Sequence, residues 1–401
     1  MLLELTPKTA AGARLAALAD ELAVDLAGRA AEHDRDGSYP FESFSAVKRS
    51  GYFTAPIPEQ LGGLGVTTAH DVLVASVRLA RGDASLTLGV NMHFAYVQNV
   101  VRRWHHAVAS GNERRTAALS ASLREITADG IVFASAVSEP QQDLTRPATT
   151  ATRTADGWVV SGRKVFSTMS PAADVLYTAV TFADDEGNER YGYAMVPRTA
   201  AGVVVHDDWD ALGMRASGSH TVSFDDVRLP LRALRGGFPV GDAAAYIERN
   251  LDAGLFHAAA SLGVAESAHA HVTQRLASSK AEPDARARMQ AAENVVDLSA
   301  CRAVLSRAAS LIDDHFAGGA STDVMSLFAE AQAAKAFIGE ASVRVVDRAL
   351  SLSGGAGYLS SSPLARAYRD VRAASFMHPL GANRAYELLG RLALGDEPDL
   401  H

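Results

Sequence analysis

The periodicity of apolar residues changes twice along the chain, and this change constrains the fold more than any other feature of the sequence. Over residues 1–127 apolar residues recur every three or four positions, as the leucines between residues 15 and 26 do, which is typical of amphipathic helices. Residues 128–238 instead show short apolar or alternating runs, and residues 239–401 return to the helical pattern. The sequence therefore predicts an α+β fold with an N-terminal helical domain, a middle β domain and a C-terminal helical domain.

Turn sequences recur at regular intervals in the middle segment. Asp156–Gly157 is a hairpin signal that leads into an apolar run, and residues 184–188 form a second turn between two more runs. Short strands separated in this way are typical of a small β-barrel or a sandwich.

The C-terminal segment is rich in alanine, leucine, arginine and glutamate, which are strong helix formers. Three long helices are expected over 243–277, 283–316 and 321–351, and the stretch 351–390 would complete a four-helix bundle. Pro379 should break or kink that last helix, because proline lacks an N–H group and crowds the preceding turn.

Composition narrows the possible partners and compartments. The chain has 38 basic and 46 acidic residues, a net charge of −8 without long runs of one sign, which argues against a nucleic-acid or anionic-membrane surface. The single cysteine, Cys301, has no cysteine or histidine array around it, so we expect neither a disulfide nor a metal site. With no apolar run long enough for a membrane span, we expect a cytoplasmic protein.

One predicted helix carries polar residues on an apolar background. It covers 86–104, with Ser85 as its N-cap, and contains Asn91 and His93. A histidine in this setting is either a hydrogen-bonded core residue or a functional group, and the pattern alone leaves both open.

Five motifs occur in order along the chain. They are GYF at 51–53 with PEQLGGLG at 58–65, SEP at 138–140, GRKVFST at 162–168, LGMRAS at 212–217 with FDDVRLP at 224–230, and GGAGY at 354–358 with RD at 369–370. In this order they resemble the acyl-CoA dehydrogenase superfamily of flavoproteins over nearly the whole chain. The resemblance implies the three-domain architecture and a flavin cofactor.

The resemblance also implies which residues meet the flavin. A flavin needs an apolar surface to stack on and hydrogen bonds at its polar edge; Phe166 could supply the first and the Thr168 hydroxyl the second. The cofactor-binding residues implied in this way are Val137, Ser138, Phe166, Thr168, Gly354, Gly355 and Gly357.

The sequence departs from the family where the dehydrogenases carry their catalytic carboxylate. The family glutamate follows the Arg-Asp pair by eight or nine residues, and here that position is His378. Some members carry the glutamate at the start of the bundle instead, and here the matching place is Ala253 or Gly254. Asp252 and Glu248 are near but out of register, so a relocated base remains an alternative.

The groups that hold the adenosine half of FAD in the family are missing as well. The run after Pro140 is QQDLT at 141–145, and the segment QRLASSK at 274–280 lacks the family's Phe-Gly pair. The resemblance thus implies FMN or loosely held FAD.

These departures resemble the two-component flavin-dependent monooxygenases of the superfamily. That branch takes reduced flavin from a separate reductase and uses O2 to oxidise a small organic substrate at N, S or an activated carbon. We therefore expect His378 and His93 to handle protons, because histidine titrates near neutrality, with Ser167 between them. Asn91, Arg215 and Ser217 would contact the substrate or its covering loop, although Arg215 could equally pair with Asp210.

Two other interpretations stay open. One is an acyl-CoA or acyl-carrier-protein dehydrogenase with Asp252 or Glu248 as its base; the other is a protein that keeps the fold without redox chemistry. In all three, Arg369 and Asp370 are expected to form a buried structural pair. The family's quaternary structure implies a homotetramer, a dimer of dimers, with the loop 354–357 facing a partner subunit.

Overall fold

The structure is a computed structural model that describes residues 4–140, 143, 145–280, 282–318 and 323–398. Five helices precede the sheet, and each begins where a polar or proline residue precedes an apolar stripe. They are α1 (Ala10–Asp36), α2 (Phe41–Arg49), α3 (Ala69–Ala80), α4 (Ala84–Ala109) and α5 (Glu113–Asp129).

Helix α4 begins two residues earlier than the sequence predicted. Its N-cap is Asp83, not Ser85, and the Asp83 carboxylate accepts a hydrogen bond from the Leu86 N–H at 3.1 Å. Aspartate satisfies a free N–H in the first turn and also interacts favourably with the helix dipole.

The middle segment forms one eight-stranded sheet. Seven of its strands lie in the order β6-β7-β3-β2-β4-β5-β8, and β1 pairs with β4 outside this order. Neighbouring strands are mostly antiparallel, but β1 lies parallel to β4. The strands are β1 (Phe133–Ala136), β2 (Thr150–Arg153), β3 (Gly157–Ser167), β4 (Val175–Ala183), β5 (Glu189–Pro197), β6 (Val203–Val205), β7 (His220–Pro230) and β8 (Leu234–Pro239).

The C-terminal segment is helical, as predicted, but its last stretch is not one helix. Four helices come first: α6 (Ala243–Arg249), α7 (Ala253–Ala277), α8 (Ala285–Phe316) and α9 (Val324–Ser353). The stretch 351–390 is then divided into α10 (Pro363–Asp370) and α11 (Ala382–Leu394). The interruption contains Pro379, at the place where proline was expected to break the helix.

Helix α7 is the centre of the helical part. Its first half is buried on every side, and it packs against α3, α4 and α9. Gly263 permits the contact with α3, because a Cβ there would lie 2.4 Å from the Val77 carbonyl oxygen. The main apolar core therefore runs from Leu15 in α1 to Leu388 in α11, and a second, smaller cluster lies between α4 and α5.

None of the helices in the described part of the chain combines the length and apolar character needed to cross a membrane.

Candidate active site

The sheet, α4, α7 and the break between α10 and α11 enclose a cavity of about 250 Å³, which we call the inner chamber. Three separate stretches of the sequence predicted to matter meet in its wall. Val137 and Ser138 follow β1, Phe166 and Thr168 end β3, and His378 comes from the C-terminal break. The rest of the wall is mostly apolar and includes Leu88, Met92, Trp209 and Met214.

Phe166 presents an exposed aromatic surface to this chamber. A bulge interrupts the pairing of β3 with β7 next to it, and Phe166 takes a left-handed backbone conformation, with φ of 55°. The conformation is costly for a bulky residue, and it leaves the ring 63% exposed, in edge contact with Trp209. A surface ring held in this way is suited to stacking on a planar ligand.

A chain of hydroxyl groups lies beside Phe166. Thr168 Oγ1 and Ser219 Oγ are 2.8 Å apart, and Ser219 Oγ is 2.7 Å from Ser217 Oγ. Thr168 and Ser219 line the chamber, whereas Ser217 lies behind them. Ser217 therefore orients the wall and reaches a ligand only through Ser219.

A buried ion pair fixes the wall on the β1 side. The Glu139 carboxylate accepts hydrogen bonds from Lys164 Nζ at 2.6 Å, from the Ala148 and Thr149 N–H groups and from the Thr149 hydroxyl. Burial raises the pKa of Glu139, but the Lys164 charge and these hydrogen bonds outweigh it and leave the pKa below its usual value. Glu139 therefore stays ionised and structural, next to Ser138.

His378 faces the chamber as a neutral group. Burial, with the nearby charges of Lys335 and Arg384, lowers the pKa of His378 to about 3. Its Nε2 is hydrogen-bonded to the Tyr246 hydroxyl at 2.9 Å. A neutral imidazole has one donor and one acceptor nitrogen, so the other ring nitrogen can exchange a hydrogen bond with a ligand.

Lys335 of α9 holds the segment that carries His378, and no motif or spacing in the sequence indicates this contact. Its Nζ donates hydrogen bonds to the carbonyl oxygens of Met377, at 2.5 Å, and Leu380, at 2.7 Å, and lies 3.3 Å from that of His378. Burial lowers the pKa of Lys335 to about 7.

A second histidine of the chamber, His257, was missed by the sequence analysis. It lies in the first turns of α7, is buried, and its Nδ1 has no partner among the described residues. Burial, and then the nearby charge of Lys335, place the pKa of His257 well below the usual value. His257 lies three residues after Gly254 and on the same face of α7. Gly254 matches the family's alternative position for the catalytic glutamate, and that match was the signal in the sequence that could have identified this turn of the helix.

No aspartate or glutamate is among the described residues that line the inner chamber. Asp252 is buried elsewhere, in an ion pair with Arg102 at 2.6 Å, and Glu248 is exposed. A Cβ at Gly254 would lie 3.2 Å from Gln332 Nε2 and from Lys335 Cδ, so these side chains would have to shift slightly to admit one. The geometry does not favour Asp252 or Glu248 as a relocated base.

His93 does not line the chamber, contrary to expectation. It is fully buried, its Nε2 is 2.9 Å from the Phe53 carbonyl oxygen, and its Nδ1 accepts the Phe133 N–H at 3.1 Å. Burial lowers the pKa of His93 to about 4. Both nitrogens are satisfied by backbone, which makes His93 a core residue.

Asn91 and Ser167 also lie outside the chamber lining. The Asn91 amide accepts from the Ser76 hydroxyl and donates to the Phe256 carbonyl oxygen, so it joins α3, α4 and α7. Ser167 is completely buried, and its Oγ has no partner among the described residues. Neither side chain is placed to touch a ligand in the chamber.

Arg215 forms an ion pair with Asp210, which the sequence analysis gave as the alternative to a ligand contact. Its guanidinium lies 2.9 Å from the Asp210 carboxylate and donates to the Asp34 carbonyl oxygen at 2.8 Å. Gly354, Gly355 and Gly357 do not line the inner chamber or the four other cavities described here. The flavin contact of this loop stays a prediction.

Arg369 and Asp370 are structural, but they do not pair with each other. Arg369 forms an ion pair with Asp34 of α1, and Asp370 accepts the Met214 N–H at 2.6 Å. The loop fits closely here, because a Cβ on Gly213 would lie 2.2 Å from the Arg369 carbonyl oxygen. These two residues fasten the loop 212–214 over the chamber. Of the cofactor run at 141–145, residues 141, 142 and 144 lie outside the described part of the chain.

Comparison with known proteins identifies the family. Models of the acyl-CoA dehydrogenase N-terminal, middle and C-terminal domains match residues 14–106, 134–227 and 255–379. The chain is 33% identical to the amino sugar nitrososynthase DnmZ of Streptomyces peucetius, over 97% of this chain and 95% of that protein. It is also 33% identical to L-evernosamine nitrososynthase of a Micromonospora species, over 98% of this chain and 93% of that one.

A solved structure agrees with this result. KijD3 in complex with FMN and dTDP-3-amino-2,3,6-trideoxy-4-keto-3-methyl-D-glucose superposes with a TM-score of 0.90 at 32% identity, covering 98% of this chain and 96% of KijD3. The chain therefore belongs to the acyl-CoA dehydrogenase superfamily, and amino sugar nitrososynthases are among its relatives.

Proposed function

We propose that this protein is a flavin-dependent monooxygenase that uses reduced FMN and O2 to oxidise the amino group of a nucleoside-diphosphate amino sugar. The observation that carries the proposal is the inner chamber, in which a neutral histidine occupies the place of the dehydrogenase carboxylate and no acidic side chain lines the wall among the described residues. The relatedness to amino sugar nitrososynthases supports nitrogen as the oxidised atom.

The chamber suits a flavin ring. The exposed face of Phe166 offers a stacking surface, and the Thr168 and Ser219 hydroxyls offer hydrogen bonds to a polar edge. Arg372, at the rim, forms no ion pair among the described residues and can meet a phosphate. Bound reduced flavin would supply the two electrons that activate O2.

The chamber also explains why this site would not perform dehydrogenation. Removal of an α proton from an acyl thioester needs a base within hydrogen-bond reach, and the chamber offers only the neutral imidazoles of His378 and His257. An imidazole of such low basicity holds little affinity for a carbon-bound proton. It can still donate to, or accept from, an oxygen or amino group beside it.

The overall reaction is balanced in atoms and electrons. An amine, O2 and reduced FMN give a hydroxylamine, water and oxidised FMN. One oxygen atom enters the N–H bond, and the other leaves as water with the two hydrogens of the flavin. A second round, consuming another O2 and reduced FMN, converts the hydroxylamine to a nitroso compound and two molecules of water. His378 is the residue that we assign to proton handling in both rounds.

The proposal includes two partners. A separate reductase would deliver the reduced flavin. A homotetramer would place the loop 354–357 against a neighbouring subunit, and the exposure of Tyr358 and Leu359, at 83% and 59%, supports such an interface.

The proposal is tested by mixing the protein, under anaerobic conditions, with chemically reduced FMN and a dTDP-3-amino-hexose, and then adding ¹⁸O₂. We expect mass spectrometry to find ¹⁸O on the sugar nitrogen. The matched control is dTDP-glucose, which has a hydroxyl in place of the amine and should return unlabelled.

Two outcomes would contradict the proposal. One is complete consumption of O2 with no label in the amino sugar. The other is anaerobic bleaching of bound FAD by an acyl-CoA, which would restore the dehydrogenase interpretation.

A further inference from the structure

The inner chamber is the first of three cavities in a row. It shares His257 and His378 with a middle chamber of about 60 Å³, whose wall includes several tyrosines. The middle chamber in turn shares Asn99 and Arg249 with a cleft of about 710 Å³, which we call the outer cleft. The three cavities therefore adjoin one another along shared walls.

One face of α4 runs along the whole row. Met92 lines the inner and middle chambers, Tyr96 the middle one, Asn99 the middle chamber and the outer cleft, and Arg103 the outer cleft. Their spacings of four, three and four residues place them on one side of a helix. Eleven residues of helix rise about 16 Å, enough for a sugar ring followed by a diphosphate.

Arg249 stands at the junction of the middle chamber and the outer cleft. Its guanidinium donates to the Tyr177 hydroxyl at 3.1 Å and lies over the Tyr193 ring at 4.4 Å. No carboxylate pairs with it among the described residues, and its Nε is buried without a partner. A largely buried cation without an anion is costly, and an anionic ligand would relieve that cost.

Three more arginines lie near this position, and two of them, Arg103 and Arg115, line the outer cleft. Arg103, Arg115 and Arg235 likewise form no ion pair with any residue that the structure describes. Burial, and then the charges of Arg249, Arg115 and Arg235, lower the pKa of Arg103, which shows how close these cations are. The exposed Glu248 is the acidic residue in the cleft lining, so the cluster carries a net positive charge.

We infer that the outer cleft binds the diphosphate of the substrate, with Arg249 and Arg103 as its principal contacts. Guanidinium groups match phosphate oxygens in geometry and charge. The sugar then extends along α4 into the inner chamber, and the nucleoside lies towards solvent. This inference rests on the proposed function, because it takes a nucleoside-diphosphate sugar as the substrate.

The test measures binding of dTDP to the full-length protein by isothermal titration calorimetry, without flavin or O2. We compare wild type with Arg249→Met, Arg103→Met and the control Arg114→Met, which removes an exposed arginine of α5 that lines none of the cavities. Each cleft variant should raise the Kd about ten- to hundredfold, as expected for loss of hydrogen bonds to a charged group, and Arg114→Met should leave it unchanged. Circular dichroism and melting temperature establish that each variant is folded. Arg103→Met, which removes no hydrogen bond or ion pair among the described residues, serves if Arg249→Met is unstable.

The outcomes separate this inference from the proposed function. If dTDP binds wild type and all variants equally, the diphosphate lies elsewhere, and the inference is wrong while the proposed function stands. If dTDP fails to bind wild type at concentrations where FMN binds, the nucleotide-sugar substrate is wrong together with this inference, although the protein is still a flavoprotein.

Discussion

The inner chamber and the outer cleft lie at two ends of one row of cavities and have opposite electrostatic character. The inner chamber is mostly apolar, and its histidines are held neutral by burial. The outer cleft is larger, at about 710 Å³, and is lined by several arginines. The contrast suggests a division of work: binding free energy comes from the charged end, and oxidation takes place at the end where water and charge are scarce.

The largest expected effect is the loss of turnover when His378 in the inner chamber is substituted. His378→Gln should lower turnover at saturating substrate by about a hundredfold or more, the usual contribution of a positioned acid–base group. The dTDP affinity should not change, because the outer cleft is intact. The rate of ¹⁸O incorporation, with calorimetry on the same sample, measures both quantities. His271→Gln, at an exposed histidine of α7, is the control; wild-type turnover in His378→Gln would remove His378 from the mechanism.

The pKa of Lys335 measures how strongly the surroundings of the His378 segment disfavour a positive charge. The pKa of Lys335 is about 7 in the folded chain and about 10.4 in an unfolded one. Between these values the unfolded chain binds more protons, so the free energy of unfolding should rise with pH. The rise should amount to a few kcal/mol at most, at about 1.4 kcal/mol per pKa unit.

Urea denaturation of wild type and Lys335→Met from pH 7 to 10 isolates this contribution, because other titrating groups are common to both proteins. The difference between the two stability curves should grow in favour of wild type as pH rises. A difference that stays constant with pH would mean that Lys335 remains charged in the folded protein.

A moderate effect on FMN affinity is expected from substitution of Phe166. This variant tests flavin binding independently of substrate binding. Phe166→Ala removes the stacking surface and should raise the Kd for FMN about tenfold, since aromatic contacts contribute on the order of 1 kcal/mol beyond the area that they bury. Flavin fluorescence titration measures the Kd, and Phe166→Tyr should bind like wild type. Equal FMN affinity in Phe166→Ala would place the flavin ring on another surface.

The smallest effect is expected at Glu248. Glu248→Gln removes an exposed carboxylate from the outer cleft and should tighten dTDP binding by about twofold, the scale of one solvent-exposed charge interaction. The same variant, measured for turnover, addresses the relocated-base interpretation directly. Abolished turnover would make Glu248 catalytic after all, and weaker dTDP binding would contradict the arginine cleft.

Much of the fold could be predicted from the sequence because it depends on local patterns. Leucines three and four residues apart define helix faces, and turn sequences at regular intervals define strands, whichever neighbours they later meet. The break at Pro379 follows from proline itself. The continuity of the core was not visible in the same way, since it depends on close approaches such as Gly263 of α7 against α3.

The residues of the candidate site likewise fall into those that sequence motifs identified and those whose role depends on packing. Phe166, Thr168 and His378 were found because ordered motifs tie them to a known family, and each lines the inner chamber. His93 lies outside the chamber: the sequence shows that a histidine sits on an apolar helix, but not whether two backbone groups from other segments satisfy it.

The sequence by itself determined the types of element, their order, the family and the absence of a carboxylate at the family position. Only the tertiary structure decided which polar groups meet. His378 is hydrogen-bonded to Tyr246, 132 residues away. His257 reaches the chamber from α7, and Lys335 of α9 holds the segment that carries His378. The physical reason is that periodicity follows from each residue's own neighbours along the chain, whereas a site is assembled by packing segments that are distant in sequence.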